Sequence, residues 1–188
     1  MRTTMMLAAV LAATTAVPAS AADATHGQGA GDVSREGFLV GFSLGAGDLG
    51  PDPCHDCGVG VGGDFHIGAM ASRSVAVMLE GSFLARDELT HGLFGVAGQF
   101  WPDPAGRFWL KAGLGVGSLD RDHSFGDPFD DFDDHGHDHV YPTVFGAAGV
   151  EVVRSGRFTI DIQARGAATF QSDDTAHSVS VNVGLNWY

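Results

Sequence analysis

The chain has 188 residues and carries 10 Lys and Arg against 23 Asp and Glu, a formal net charge of −13. That length fits one domain, and the shortage of basic residues argues against a nucleic-acid partner. The 28 glycines follow no collagen period, and beyond the first 21 residues no amphipathic helical register stands out.

The N-terminus reads MRTTMMLAAVLAATTAVPASAADA. Arg2 supplies a positive start, Met5 to Val17 is uncharged and largely apolar, and Ala19-Ser20-Ala21 is a small-x-small site. This is the pattern of a secretory signal peptide over 1–21, cut after Ala21 or Ala22. Either cut removes Arg2 and leaves a charge of −14. Residues 22–36 read as a short flexible lead-in to a barrel domain over 37–188. No later apolar run reaches the roughly 18 residues of a membrane-spanning helix.

Eight segments then alternate apolar and polar residues: 37–45, 58–69, 75–85, 91–101, 107–118, 140–153, 158–170 and 178–188. Each reads as a strand, because alternate side chains of a strand face opposite ways. In FTIDIQARGAATF (158–170), Phe158, Ile160, Ile162 and Ala164 share one face, and Thr159, Asp161, Gln163 and Arg165 share the other. The polar faces together collect Asp64, His66, Glu80, Lys111, Glu151, Asp161, Arg165 and Asn182, with many glycines.

The connections alternate too. ASRS (71–74), PDPAG (102–106) and RSGR (154–157) are tight turns. AGDLGPDPCHDC (46–57), DELT (87–90), LDRDHSFGDPFDDFDDHGHDH (119–139) and QSDDTAH (171–177) are generally longer or more polar loops. Short turns at one end and loops at the other mark an outer-membrane barrel. A soluble barrel would keep its oily face inside and show Lys and Glu outside. Here the polar face is poor in lysine and crowded with glycine, which suits a narrow barrel interior. The sequence therefore predicts a closed, eight-stranded, antiparallel up-and-down transmembrane barrel, with the oily face in lipid.

The signal peptide, the eight strands and the terminal VNVGLNWY resemble the small outer-membrane β-barrel family, the OmpA/OmpX-like proteins of Gram-negative cell envelopes. The family's last strand ends on an aromatic that continues the apolar face. Here Trp187 continues that face and Tyr188 falls on the other. The resemblance implies a monomer in outer-membrane lipid, inserted by the barrel assembly machinery. It also implies a structural or surface-interaction role: envelope integrity, adhesion or shielding.

Three sets of residues carry candidate chemistry. Asp64, His66, Glu80, Lys111, Glu151, Asp161 and Arg165 read as a paired interior network, since buried charges need partners. The acidic, His-rich stretch 122–139 holds His123, Asp127, Asp130, Asp131, Asp133, Asp134, His135, His137, Asp138 and His139. It reads as a solvated surface loop or as a divalent-metal site; imidazoles suit zinc, copper or nickel, and carboxylates suit calcium or magnesium. Cys54 and Cys57 form CHDC in the first loop, readable as a disulfide, half of a metal site or free thiols. No other cofactor is indicated. A lipid A-modifying enzyme would need a nucleophile system; His91, His177, Ser178 and Ser180 are the available pieces, but their spacing matches no catalytic signature. The reading is therefore not an enzyme.

Overall fold

The computed structural model describes residues 33–50, 59–86, 89–121, 140–171 and 175–188. The signal-peptide region and most of the lead-in lie outside them. The described residues hold eight strands and no helix: β1 (Phe38–Gly50), β2 (Gly60–Ser72), β3 (Val75–Arg86), β4 (Leu89–Phe100), β5 (Phe108–Arg121), β6 (Tyr141–Ser155), β7 (Phe158–Phe170) and β8 (Thr175–Trp187). Each pairs antiparallel with the next, and β8 pairs back onto β1. The barrel is closed, so no strand edge is left unpaired.

The register fixes its geometry. Val40 pairs with Ile67, and the row continues through Leu79, Val96, Leu114, Val144, Ala168 and His177 to Gly50. The circuit returns to β1 ten residues from its start (50 − 40). With a rise of ~3.3 Å per residue and ~4.8 Å between strands, that stagger gives a tilt of about 40°. A 13-residue strand then climbs ~33 Å, more than the ~25 Å apolar band of such barrels.

That surplus explains where the observed strands outrun the expected ones. β1 runs on to Gly50, β5 to Arg121, and β4 and β8 begin at Leu89 and Thr175. The sequence marks these ends as loop because they turn polar. Ladder pairing needs no apolar side chain: Asp48, Leu49 and Gly50 pair with Val179, Ser178 and His177. For the same reason Leu89 and Thr90, expected in a loop, pair with Arg86 and Ala85.

The faces sort as the alternation requires. Phe65, Leu79, Phe83, Phe94, Leu110, Leu114, Ile162 and Val181 are exposed on the outside. Asp64, His66, Glu80, Lys111, Glu151, Asp161, Gln163, Arg165 and Asn182 are buried inside. An exterior of this kind is stable only in lipid, so the chain is a membrane-spanning barrel.

Two bulges break the alternation, both near the turn end, at Ala71 in β2 and Val152 in β6. The second has a consequence for the interior. Val152 and Val153 both face outward, each 44% exposed. The alternation resumes shifted by one residue, so Arg154 turns inward, its Nε 3.1 Å from Glu151 Oε2. Unbulged, its guanidinium would face lipid.

The inside-out arrangement has a direct test. Leu114 lies in the middle of β5 and is 69% exposed. Leu114→Arg lowers the free energy of folding into liposomes by about 2–4 kcal/mol, as for a charge on the lipid face of such a barrel. Equilibrium denaturant titration measures it. A change below about 0.5 kcal/mol, normal for a surface site in water, would refute the lipid-facing assignment.

Candidate functional site

The eight strands enclose the barrel interior, and its described side chains form three layers. The middle layer is a knot of charge. Glu80 on β3 accepts from Arg165 Nη1 on β7, and its other oxygen lies 2.9 Å from Lys111 Nζ on β5. Arg165 also donates to Ser82 Oγ at 3.0 Å and lies 3.9 Å from Asp64 Oδ2. Asp64 accepts from the Ser43 hydroxyl and from Gln163 Nε2 at 3.2 Å. His66 sits between Asp64 and Asn186, at 3.3 and 3.0 Å. Asn186 in turn donates to Asp161 Oδ2 at 2.8 Å.

Here three carboxylates face two permanent cations, and hydrogen bonds from neutral amides and a hydroxyl complete the set. Each cation also has a ring beneath it. Lys111 Nζ is 5.4 Å from the Trp109 ring centre, and Arg165 is 5.1 Å from that of Phe145. Room for these large groups comes from glycine. A Cβ at Gly149 would lie 2.5 Å from Trp109 Cε2, and one at Gly41 would lie 2.6 Å from His66 Cε1.

Asp64, His66 and Glu80 also offer ligand atoms within 4.8 Å of one another. Both Glu80 oxygens are already held by Lys111 and Arg165, and Arg165 lies 3.9 Å from Asp64 Oδ2. The two carboxylates of this set are thus matched by the protein's own cations, which does not fit a metal.

The second layer closes the turn end and centres on Arg35. Gly37 has φ +80°, a conformation open to glycine, and the residues before it fold over the barrel mouth. Arg35 Nη2 lies 2.7 Å from Glu151 Oε2 and donates to Gly106 O at 3.0 Å. Nη1 donates to Pro104 O at 2.5 Å. The guanidinium stacks 4.8 Å from the Trp101 ring centre and 5.9 Å from that of Tyr188. Trp101 Nε1 and Tyr188 Oη both donate to Glu151 Oε1 at 3.2 Å. Leu39, Met78 and Trp109 complete an apolar seal around this pair.

The third layer lies toward the loops. His91 Nε2 bonds Thr169 Oγ1 at 2.8 Å, and Thr169 bonds Thr143 at 2.8 Å. At the rim above it, Arg86 reaches the part-exposed Asp48 at 2.9 Å. Between this layer and the charge knot is a small cavity of about 20 Å³.

Of the expected network, Asp64, His66, Glu80, Lys111 and Arg165 lie together in the middle layer. Asp161 joins them through Asn186. Glu151 does not; it belongs to the floor with Arg35 and Arg154. Part of the segment 22–36, expected as a flexible lead-in, is fixed in place, since Val33 and Arg35 are buried. Ser43, Gln163 and Asn186 stand on the polar alternation of their strands and were readable from it. Arg35 precedes the first strand and has no periodic signal. Among the candidate enzyme pieces, His91 is tied to Thr169, and His177 and Ser178 are neighbours in one strand, so they face opposite sides of the wall. The metal candidates His123, Asp130, Asp131, Asp133, Asp134, His135, His137 and His139, and Cys54 and Cys57, lie outside the described residues.

No protein-family model matches the chain, and no curated protein matches it by sequence. Solved structures do. Neisserial surface protein A (NspA) aligns with a TM-score of 0.62 at 11% identity, covering 80% of this chain and 96% of that one. The N-terminal β-barrel domain of Pseudomonas aeruginosa OprF aligns at 0.53 and 15% identity, covering 81% and 98%. Ail, the attachment invasion locus protein of Yersinia pestis, aligns at 0.51 and 14% identity, covering 81% and 99%. The chain shares the fold of these small outer-membrane barrels.

Substitutions at two positions probe the two ionic layers separately. Glu80→Gln leaves Lys111 and Arg165 short of a buried counter-charge and lowers stability in bilayers by about 3–5 kcal/mol. Arg35→Lys recovers only part of what Arg35→Ala loses, because an ammonium cannot bridge two carbonyls and a carboxylate in one plane. Urea titration of refolded protein measures both. A loss under about 1 kcal/mol for Glu80→Gln would show that the knot is not essential to the fold.

Proposed function

We propose that this protein is a sealed, monomeric outer-membrane barrel that acts as a structural and surface-display element, not as a channel or an enzyme. The single observation that carries this reading is the filled interior. Charge pairs, amides and rings fill the middle of the barrel, His91, Thr143 and Thr169 bond across it toward the loops, and Arg35 with Trp101 and Tyr188 closes its floor. Eight strands leave room for side chains and little else. The work of such a protein lies outside its walls: in lipid contact, and in the loops its strands carry beyond the apolar band.

In this reading the loop end faces the cell exterior and the turn end the periplasm. The barrel assembly machinery inserts the chain. Envelope integrity, adhesion and shielding are the roles open to a sealed barrel with acidic loops. Ail, of the same fold, is named an attachment invasion locus protein, which is a precedent for adhesion. The test of the sealed interior is conductance. Full-length protein in planar bilayers gives no steady ion current above the lipid background. A reproducible open level in the wild type would overturn the proposal.

A second reading has its own observation, the His-x-His-x-His run 135–139 among aspartates. Alternate imidazoles in an extended segment share one side and suit a divalent transition metal. Calorimetry with zinc, on protein with and without residues 122–139, checks it. Binding that disappears with the deletion supports the metal reading. Binding that is undetectable, or survives the deletion, removes it.

A further inference from the structure

The barrel wall carries two kinds of glycine. Most inward glycines have no room for a Cβ. Gly81 and Gly92 face outward; Gly81 has room, and Gly92 is limited only by one side-chain hydroxyl. A Cβ at Gly81 would meet Phe94 Cδ2 at 3.8 Å, an ordinary contact, and one at Gly92 would meet Ser118 Oγ at 3.3 Å. Interior crowding does not explain glycine at either place.

Their neighbours are phenylalanines. Gly81 is paired between Phe65 and Phe94, and Gly92 between Phe83 and Ser118. Phe65, Phe83 and Phe94 each stand half exposed on the outer wall. Three rings therefore rise around a floor of bare backbone. The result is a groove of about 690 Å³, running from mid-strand at Gly81 to the loop end at Ser118 and Val140. The outward Gly98 lies outside it, paired with Val77 and Ala112.

The groove belongs to the lipid-facing belt and is continuous with it. Its lining is mostly apolar, with Ser43, Asp64, Ser82 and Ser118 as the polar members. In the membrane something must fill it, or the ring edges and the exposed peptide floor lose their packing contacts. A flexible hydrocarbon chain fits a narrow trough between rings, whereas the broad face of another protein would rest on the ridges. The groove occupies the loop-side half of the wall, and in the outer membrane that half lies in the glycolipid leaflet. We propose that the Gly81–Gly92 groove binds one acyl chain of an outer-leaflet glycolipid of the lipid A class. This rests on the outer-membrane orientation proposed above.

The test uses the full chain, expressed in an outer membrane and extracted in mild detergent. Native mass spectrometry reads the lipid each barrel retains, and heat-dependent mobility on gels shows that each variant is folded. Wild type retains glycolipid. Gly81→Leu with Gly92→Leu fills the groove, and retention falls about tenfold, the loss that 1.4 kcal/mol of contact gives. Gly98→Leu adds the same bulk elsewhere on the wall and retains lipid as wild type does. Equal retention by the filled and native grooves would overturn the proposal. So would retention of phospholipid alone, or a second copy of the chain protected at this face. Recovery of the protein outside the membrane fraction would instead overturn the orientation, and the glycolipid site with it.

Discussion

Closure is the constraint on which the rest of this structure depends. Eight strands staggered by ten residues enclose a space that side chains can fill and that is too large to be left empty. In a soluble protein that space would be oily. Here the outside is oily, so the inside must take the polar residues that a lipid-facing wall rejects. Once polar groups are inside, the low dielectric makes any unpaired charge expensive. The Glu80–Lys111–Arg165 knot, the amides around Asp64 and the rings beneath each cation follow from that one requirement. Glycine follows as well: where Trp109 or His66 crosses the interior, the facing strand cannot carry a side chain.

The fold was largely legible because its code is local. Period-two alternation specifies both strand and face, and turn chemistry specifies the ends. It fails where a residue leaves that code. The bulge at Val152 is invisible to alternation, since VEVV (150–153) reads as unbroken strand, yet it decides that Arg154 faces Glu151 and not lipid. Strand ends were misplaced for a related reason. Pairing continues past the apolar band, where nothing in the side chains announces it.

The interior was legible as a list of residues but not as a map. Alternation puts Glu151 and Glu80 on the same inner face and gives no hint that they serve different layers. Height along the axis depends on stagger, which only the register reveals. Arg35 was hidden more completely, because it lies before the first strand. Its role depends on Gly37 turning the chain back over the barrel mouth.

Tyr188 joins these strands of the argument. By alternation it departs from the aromatic ending of the barrels that the sequence resembles: it falls on the inner face, while Trp187 takes the lipid side. The structure gives that departure a physical reason. Tyr188 turns inward, packs edge-on against Trp101 at 5.9 Å and donates to Glu151. The floor is thus built from both ends of the barrel sequence: Arg35 just before β1 and Tyr188 just after β8, joined through a glutamate of β6. The seam where the sheet closes on itself is also where β1 meets β8. A floor that ties the segments flanking those two strands to a third, distant one braces the closing seam from inside the barrel.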